Sequence, residues 1–150
     1  MLSSESPVPT LLGELKLAHS NLLRAIADLD RISSGPPPEE DALASARLAV
    51  SRTSLARRLL WGRILARLAP VARGRDEADL RLIQDCDIQL LKATVNHVAA
   101  WKPADAIERW RTYAAGESHV LQKLAGIVAL EKSLLYPMLE ARAPVSADAA

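Results

Sequence analysis

Residues 124–138 read LAGIVALEKSLLYPM, and this stretch decides the fold class. Apolar residues recur in it at steps of three and four, which predicts a helix with one buried seam. Glu131 lies in the middle of that seam. The apolar members of the seam are Leu124, Ile127, Leu134 and Met138. The chain has no Phe and shows no alternating apolar run between tight turns, so strands are not expected.

Proline and glycine mark the loops, at 35–38, 70–74 and 103. The stretches between them have helical apolar spacing and predict helices over 10–32, 39–68, 76–100 and 103–142. We expect a bend or break in the last helix near Gly116, because glycine weakens a helix. Four long helices with short loops run antiparallel to their neighbours. The sequence therefore predicts an all-α, up-down-up-down four-helix bundle over 10–142, with a flexible N-terminus (1–9) and a disordered tail (143–150).

Length and charge set broad limits on function. A chain of 150 residues is near the commonest size of one domain. The net charge of +1 does not favour nucleic acid or an acidic substrate. One cysteine, Cys86, rules out an internal disulfide and is compatible with a reducing compartment. The sequence has neither a secretory leader nor a run near the roughly 18 apolar residues of a membrane span, so we expect a cytoplasmic protein.

Three of the four predicted seams carry an ionisable residue near the middle of the helix: His19, Asp87 and Glu131. Mid-helix positions of an up-down bundle meet in one layer, so these side chains are expected to face one another. A buried carboxylate needs a cation, a donor or a proton. A metal ion is one answer, and a hydrogen-bonded polar cluster without metal is the other. The middle of the second predicted helix, LLWGRIL at 59–65, contributes nothing to this layer.

The stretch 127–139 resembles a motif of the hemerythrin-like, HHE cation-binding family. That motif has a His, a Glu four residues later and a Leu-Tyr-Pro ending. Glu131 and the sequence at 135–137 match it, whereas Ile127 stands at the His position. His19 resembles the family's opening His. The link at 101–103, with Trp110 and Tyr113 after it, is similar to that of some bacterial members.

The resemblance also shows what is missing. Counting back from Pro70 places Leu60 and Ile64 at the His and Glu positions of the second-helix motif. Family members typically use two irons to bind or sense small gases or to handle iron. Too few ligands remain for two irons, so we expect a non-enzymatic binding or regulatory protein without a cofactor. The alternative is a weakly held iron or other divalent metal on His19, Asp87 and Glu131.

The second predicted helix favours a protein partner. Between 42 and 75 the chain has eight Arg and no acid. A solvated basic face explains the charge, and nucleic acid is not expected because no recognition-helix signature accompanies it. One apolar face holds Leu48, Leu55, Leu59 and Ala66, and a second, with Val50, is left spare. We predict a homodimer or a protein partner docking on the spare face, at Arg57, Trp61, Ile64 and Leu68, unless the segment with Trp110 and Tyr113 covers it.

Two further histidines have ordinary interpretations. His119, with Lys123 four residues later, faintly resembles a histidine phosphotransfer site, which gives a further alternative function. A plain surface histidine is the commoner case. His97 lies at the end of the third predicted helix, where it is expected to satisfy terminal carbonyls.

Overall fold

The computed structural model describes residues 10–142, which form five helices. They are α1 (Leu11–Ser33), α2 (Glu40–Leu68), α3 (Arg75–Ala100), α4 (Pro103–Glu108) and α5 (Trp110–Ala141). No strand occurs in this part of the chain, so the all-α prediction is confirmed. None of these helices combines the length and the apolar character needed to cross a membrane. The predictions for 1–9 and 143–150 lie outside the described residues.

The helix starts follow local chemistry. The Thr10 hydroxyl accepts the backbone N–H of Gly13 at 2.9 Å and caps α1. Glu40 and Asp41 open α2, where acids complement the positive end of the helix dipole. Pro103 opens α4, at a position where no N–H is needed. Because these signals are local, the predicted bounds of the first three helices agree with the structure to within one residue.

The break in the last predicted helix lies at Arg109, not near Gly116. Arg109 has φ −118° and ψ 50°, which separates α4 from α5. The indole N–H of Trp110 donates to the carbonyl oxygen of Gly35 at 2.9 Å and ties the start of α5 to the loop after α1. Gly116 stays helical, and a Cβ there would lie 3.3 Å from Cε1 of His97. Glycine at this position therefore permits a close approach of α3 to α5.

The core lies where α1 packs against α2 and α5, and where α3 packs against α5. The short α4 rests on α5 and α2, whereas the backbones of α2 and α3 approach each other less closely. Regularly spaced leucines of α1, among them Leu15 and Leu22, are fully buried. The predicted seams of α1, α3 and α5 are largely buried. The spacing predicts for α3 the seam Leu80, Ile83, Asp87, Leu90, Thr94 and Val98. Val98 is an exception, because it is 48% exposed.

The structure reverses the predicted roles of the two apolar faces of α2. Leu48, Leu55 and Leu59, predicted to be buried, point to solvent. The face predicted to be spare is in the core and consists of Val50, Arg57, Leu60, Trp61, Ile64 and Leu68. Its large Trp and aliphatic side chains bury more apolar area than three leucines and an alanine would. The four side chains proposed for docking, Arg57, Trp61, Ile64 and Leu68, are thus buried within the chain and offer no exposed surface.

Candidate functional site

Four helices bring a charged layer together in the core. We call it the central charge network, and its members are His19 of α1, Arg57 of α2, Asp87 of α3, and Glu131 and Tyr136 of α5. His19, Asp87 and Glu131 are each at most 3% exposed, and Arg57 and Glu131 are fully buried. The structure therefore brings the three sequence-predicted ligand candidates to one layer. It also corrects the prediction that the second helix contributes nothing, because Arg57 lies among them.

Arg57 joins the two carboxylates. Its Nη1 donates to Oε2 of Glu131 at 2.5 Å, and its Nη2 donates to Oδ1 of Asp87. Asp87 also accepts from Nε of Arg58 at 3.3 Å, through Oδ2. A planar guanidinium with fixed donors suits this bridging role better than the point charge of a lysine. Both carboxylates thus have a cation within the protein.

His19 extends the network to Tyr136. An ionised carboxylate only accepts, so Nε2 of His19 donates to Oε1 of Glu131, at 2.7 Å. In the neutral ring Nδ1 then accepts from the Tyr136 hydroxyl, at 2.6 Å, and the two rings stack with their centroids 5.6 Å apart. Burial, and next the charge of Glu131, raise the pKa of Tyr136. The phenol therefore keeps its proton and remains a donor.

The charges of this layer balance. The carboxylates of Asp87 and Glu131 are offset by the guanidiniums of Arg57 and Arg58. Buried charges are tolerated when they are paired and hydrogen-bonded, as these are. Only Nε of Arg57 is left without a partner.

The residues present do not fit a metal pair. A divalent ion needs several free lone pairs directed at one point, whereas both oxygens of Glu131 and of Asp87 already accept hydrogen bonds. The guanidinium of Arg57 has no lone pair to offer. Leu60 and Ile64, at the motif positions of α2, place buried hydrocarbon beside the layer. Across residues 10–142, no group of three or more His, Cys, Asp or Glu side chains is arranged to hold a metal ion.

A second polar cluster lies toward the other end of the helices. We call it the His97 network, and its members are Arg47, His97, Tyr113 and Glu117. The Tyr113 hydroxyl donates to Oε1 of Glu117 at 2.7 Å. Nε2 of His97 lies 2.9 Å from Oε2 of Glu117, an ion-pair distance, without the alignment of a hydrogen bond. His97 thus pairs with a carboxylate of α5 instead of capping the end of α3, which corrects the prediction for it.

Aromatic contacts complete the His97 network. The His97 ring stacks on Tyr113 with centroids 5.5 Å apart, and the guanidinium carbon of Arg47 lies 5.6 Å from the centre of the Tyr113 ring. Tyr113 is fully buried, and its burial, followed by the charge of Glu117, raises its pKa strongly. No hydroxyl of this cluster is therefore poised to lose a proton near neutral pH.

The sequence prediction places Arg57 on a docking face and misses its place in the charged layer, although a signal for it existed. Arg57 lies seven residues after Val50 and seven before Ile64, so it falls on the same helical line as these two core residues. The third histidine, His119, lies exposed on α5, which both interpretations of it require. Comparisons of the chain with known protein families, curated proteins and solved structures found no match.

Proposed function

We propose that this chain is a degenerate hemerythrin-like four-helix bundle in which an arginine replaces the metal, and that it acts as a non-enzymatic binding or regulatory protein. One observation carries the proposal: the fully buried guanidinium of Arg57 donates to both Glu131 and Asp87. They are two of the three residues that the sequence predicts as metal-ligand candidates, and Glu131 is the one of the two that the family resemblance matches. The positive charge of the guanidinium stands in for that of a metal ion and stabilises the same carboxylates.

Paired contacts support an up-down arrangement of the four long helices. Between α2 and α3, Arg58 bonds to Asp87 and Trp61 bonds to Gln84, so the residue numbers run in opposite directions. Between α3 and α5 they also run in opposite directions, since Asp76 pairs with Arg142 whereas His97 pairs with Glu117. The short α4 is then an extension ahead of the last helix. Antiparallel neighbours are the mark of this kind of bundle.

The chemistry of the layer favours a structural role for it. Catalysis needs a group that can meet a substrate, whereas His19, Arg57 and Glu131 are buried and bonded to one another. Buried charge networks of this kind fix how helices align in some proteins. We propose the same here: the network sets the register of the helices, and the function belongs to the outer surface.

Metal content of the purified protein tests this proposal. We expect the folded wild-type protein to hold no stoichiometric iron or zinc, with or without added ferrous iron. One metal per chain, lost in a Glu131→Ala variant, would instead establish the metal-holding alternative. An Arg57→Ala variant adds a second readout. The Arg57→Ala change frees oxygens of both carboxylates, so this variant should gain metal affinity or bind added guanidinium. The control is Arg52→Ala, which removes an exposed arginine of the same helix and should do neither.

A further inference from the structure

The outward side of α2 carries a line of apolar residues, which we call the outer stripe. Its members, Leu48, Leu55, Leu59 and Ala66, are separated by seven, four and seven residues, the spacing of a seam between two helices. The three leucines are 48%, 55% and 64% exposed. Single exposed leucines are ordinary, but several on one helical line form a continuous patch.

The stripe faces directly away from the core. Arg57, at the centre of the buried face, lies about half a turn around the helix from Leu48, Leu55 and Leu59. Because the neighbouring helices pack on the opposite side, nothing in the described part of the chain covers the stripe. A partner would meet this stripe along about two thirds of the helix, with Arg52 on the same line between Leu48 and Leu55.

The charges of α2 select the orientation of that partner. The acids Glu40 and Asp41 lie at the start of the helix, whereas Arg67 lies in its last turn. Arg63, one turn earlier, is already paired with Glu14 of α1. A second α2 aligned in parallel would place arginine beside arginine and acid beside acid. An antiparallel copy places the acids of each chain beside the arginines of the other, and two-fold symmetry repeats this at both ends.

We infer that the outer stripe binds a second copy of this chain, with the two α2 helices antiparallel. The inference names the partner in the proposed binding function and rests on it. The register that aligns both ends places Leu48 opposite Leu59 of the partner subunit, and Glu40 opposite Arg67 of the partner subunit. Arg52 then crosses Leu55 of the partner subunit, where its aliphatic stem covers the leucine and its guanidinium reaches solvent.

The expected dimer is weak. A helix of 29 residues is about 43 Å long, and a strip about 10 Å wide along it hides roughly 400 Å² per copy. Specific interfaces begin at about 1,000 Å² in total. We therefore expect a micromolar, concentration-dependent dimer, and its affinity should fall with salt because the paired ends are exposed.

Sedimentation equilibrium from about 5 to about 500 µM tests the stripe. The wild type should pass from monomer to dimer in this range. Leu55→Glu should raise the dissociation constant at least tenfold, whereas Leu82→Glu, at an exposed leucine of α3, should leave it unchanged. Unchanged circular dichroism and melting temperature would show that both variants fold. A wild type that stays monomeric throughout, or a dimer indifferent to Leu55→Glu, would overturn the inference.

A spin-label distance tests the orientation. One label at Ser45→Cys, in a Cys86→Ser background that removes the chain's single cysteine, reports the separation of the two copies. The antiparallel register places the labels more than about 25 Å apart, and a parallel pair places them within about 15 Å. The short distance would refute the orientation. Metal content is measured separately. A dimer that binds metal would overturn only the proposal that Arg57 replaces the metal. A monomer without metal would overturn only the inference of a dimer.

Discussion

The central charge network and the His97 network use the same residue types to different effect. Each contains a histidine, a glutamate, a tyrosine and an arginine. In the central network Arg57 joins two carboxylates and is fully buried. In the His97 network Arg47 lies over the ring of Tyr113, and its Nη1 has no partner.

The number of buried carboxylates explains the difference. Two carboxylates in one layer repel each other unless a cation lies between them, so Arg57 is required where it stands. The His97 network has a single carboxylate, Glu117, whose oxygens already face the Tyr113 hydroxyl and the His97 ring. A cavity of about 20 Å³ lies beside Arg47, His97 and Glu117. The first network should therefore control stability, and the second should modulate it.

The largest expected effect comes from removing the bridging arginine. Arg57→Met leaves Asp87 and Glu131 buried beside each other without their shared cation, which should cost about 3 to 5 kcal/mol of unfolding free energy. The matched change Arg47→Met removes a cation–π contact and should cost about 1 kcal/mol or less. Urea denaturation followed by circular dichroism measures both. Equal losses would contradict the division between a required and a dispensable arginine.

Neutralising the carboxylates as well should recover much of that loss. In an Arg57→Met, Asp87→Leu, Glu131→Gln variant no charge of the central network remains buried, and the Gln oxygen still accepts from His19. Replacing a whole buried ion network by neutral groups is often nearly neutral, whereas breaking it is costly. We expect the triple variant to regain at least about half of the stability lost in Arg57→Met. A further loss would show that the ion pairs contribute favourably beyond mutual compensation.

The sequence predicted what local chemistry determines. The ends of α1, α2 and α3 follow from proline, glycine and capping residues, and the prediction placed them within one residue. The break at Arg109 was missed because it depends on a long-range bond, from Trp110 to Gly35. Gly116 drew attention as a weak helix former, but its role depends on His97, from another helix.

The charged layer also shows that the sequence predicts regular patterns better than it predicts which face of a helix is buried. His19, Asp87 and Glu131 interrupt regular seams, so their meeting in one layer could be predicted. The apolar residues of α2 lie on two faces, and only the neighbouring helices decide which face is buried. The charges could have identified the buried face of α2. Two buried carboxylates need a cation, and Arg57 is on the same helical line as Val50 and Ile64.

A smaller effect on the free energy of unfolding is expected at alkaline pH. Each network contains one tyrosine, and the two tyrosines should lose their protons over different pH ranges. Both folded-state pKa values are raised above the ordinary value of about 10, and that of Tyr113 is raised further. The stability contributed by each neutral phenol is present below pH 10 and is lost as the pH rises through the folded pKa. Between the ordinary pKa and the folded-state pKa of Tyr113, the free energy of unfolding falls by about 1.4 kcal/mol per pH unit. The total fall that Tyr136 contributes is smaller, because its hydroxyl is less buried.

Absorbance at the tyrosinate band and denaturation at several alkaline pH values test this. The folded protein should show little tyrosinate at about pH 10, and the signal should appear on unfolding. Tyr113→Phe should flatten the fall in stability over a wider pH range than Tyr136→Phe. A folded protein whose tyrosines both titrate at the ordinary value would contradict the buried, protonated state of both hydroxyls.

The smallest effect compares two glycines of α5. A Cβ added at Gly126 would meet nothing within 4 Å, so Gly126→Ala should stabilise the protein by about 0.5 to 1 kcal/mol through helix propensity. Gly116→Ala should gain less or lose stability, because its Cβ would press on the His97 ring at 3.3 Å. Thermal unfolding of both variants measures the difference. Equal gains would mean that the ring yields without cost, and the His97 network would then be loosely held where His97 meets Gly116.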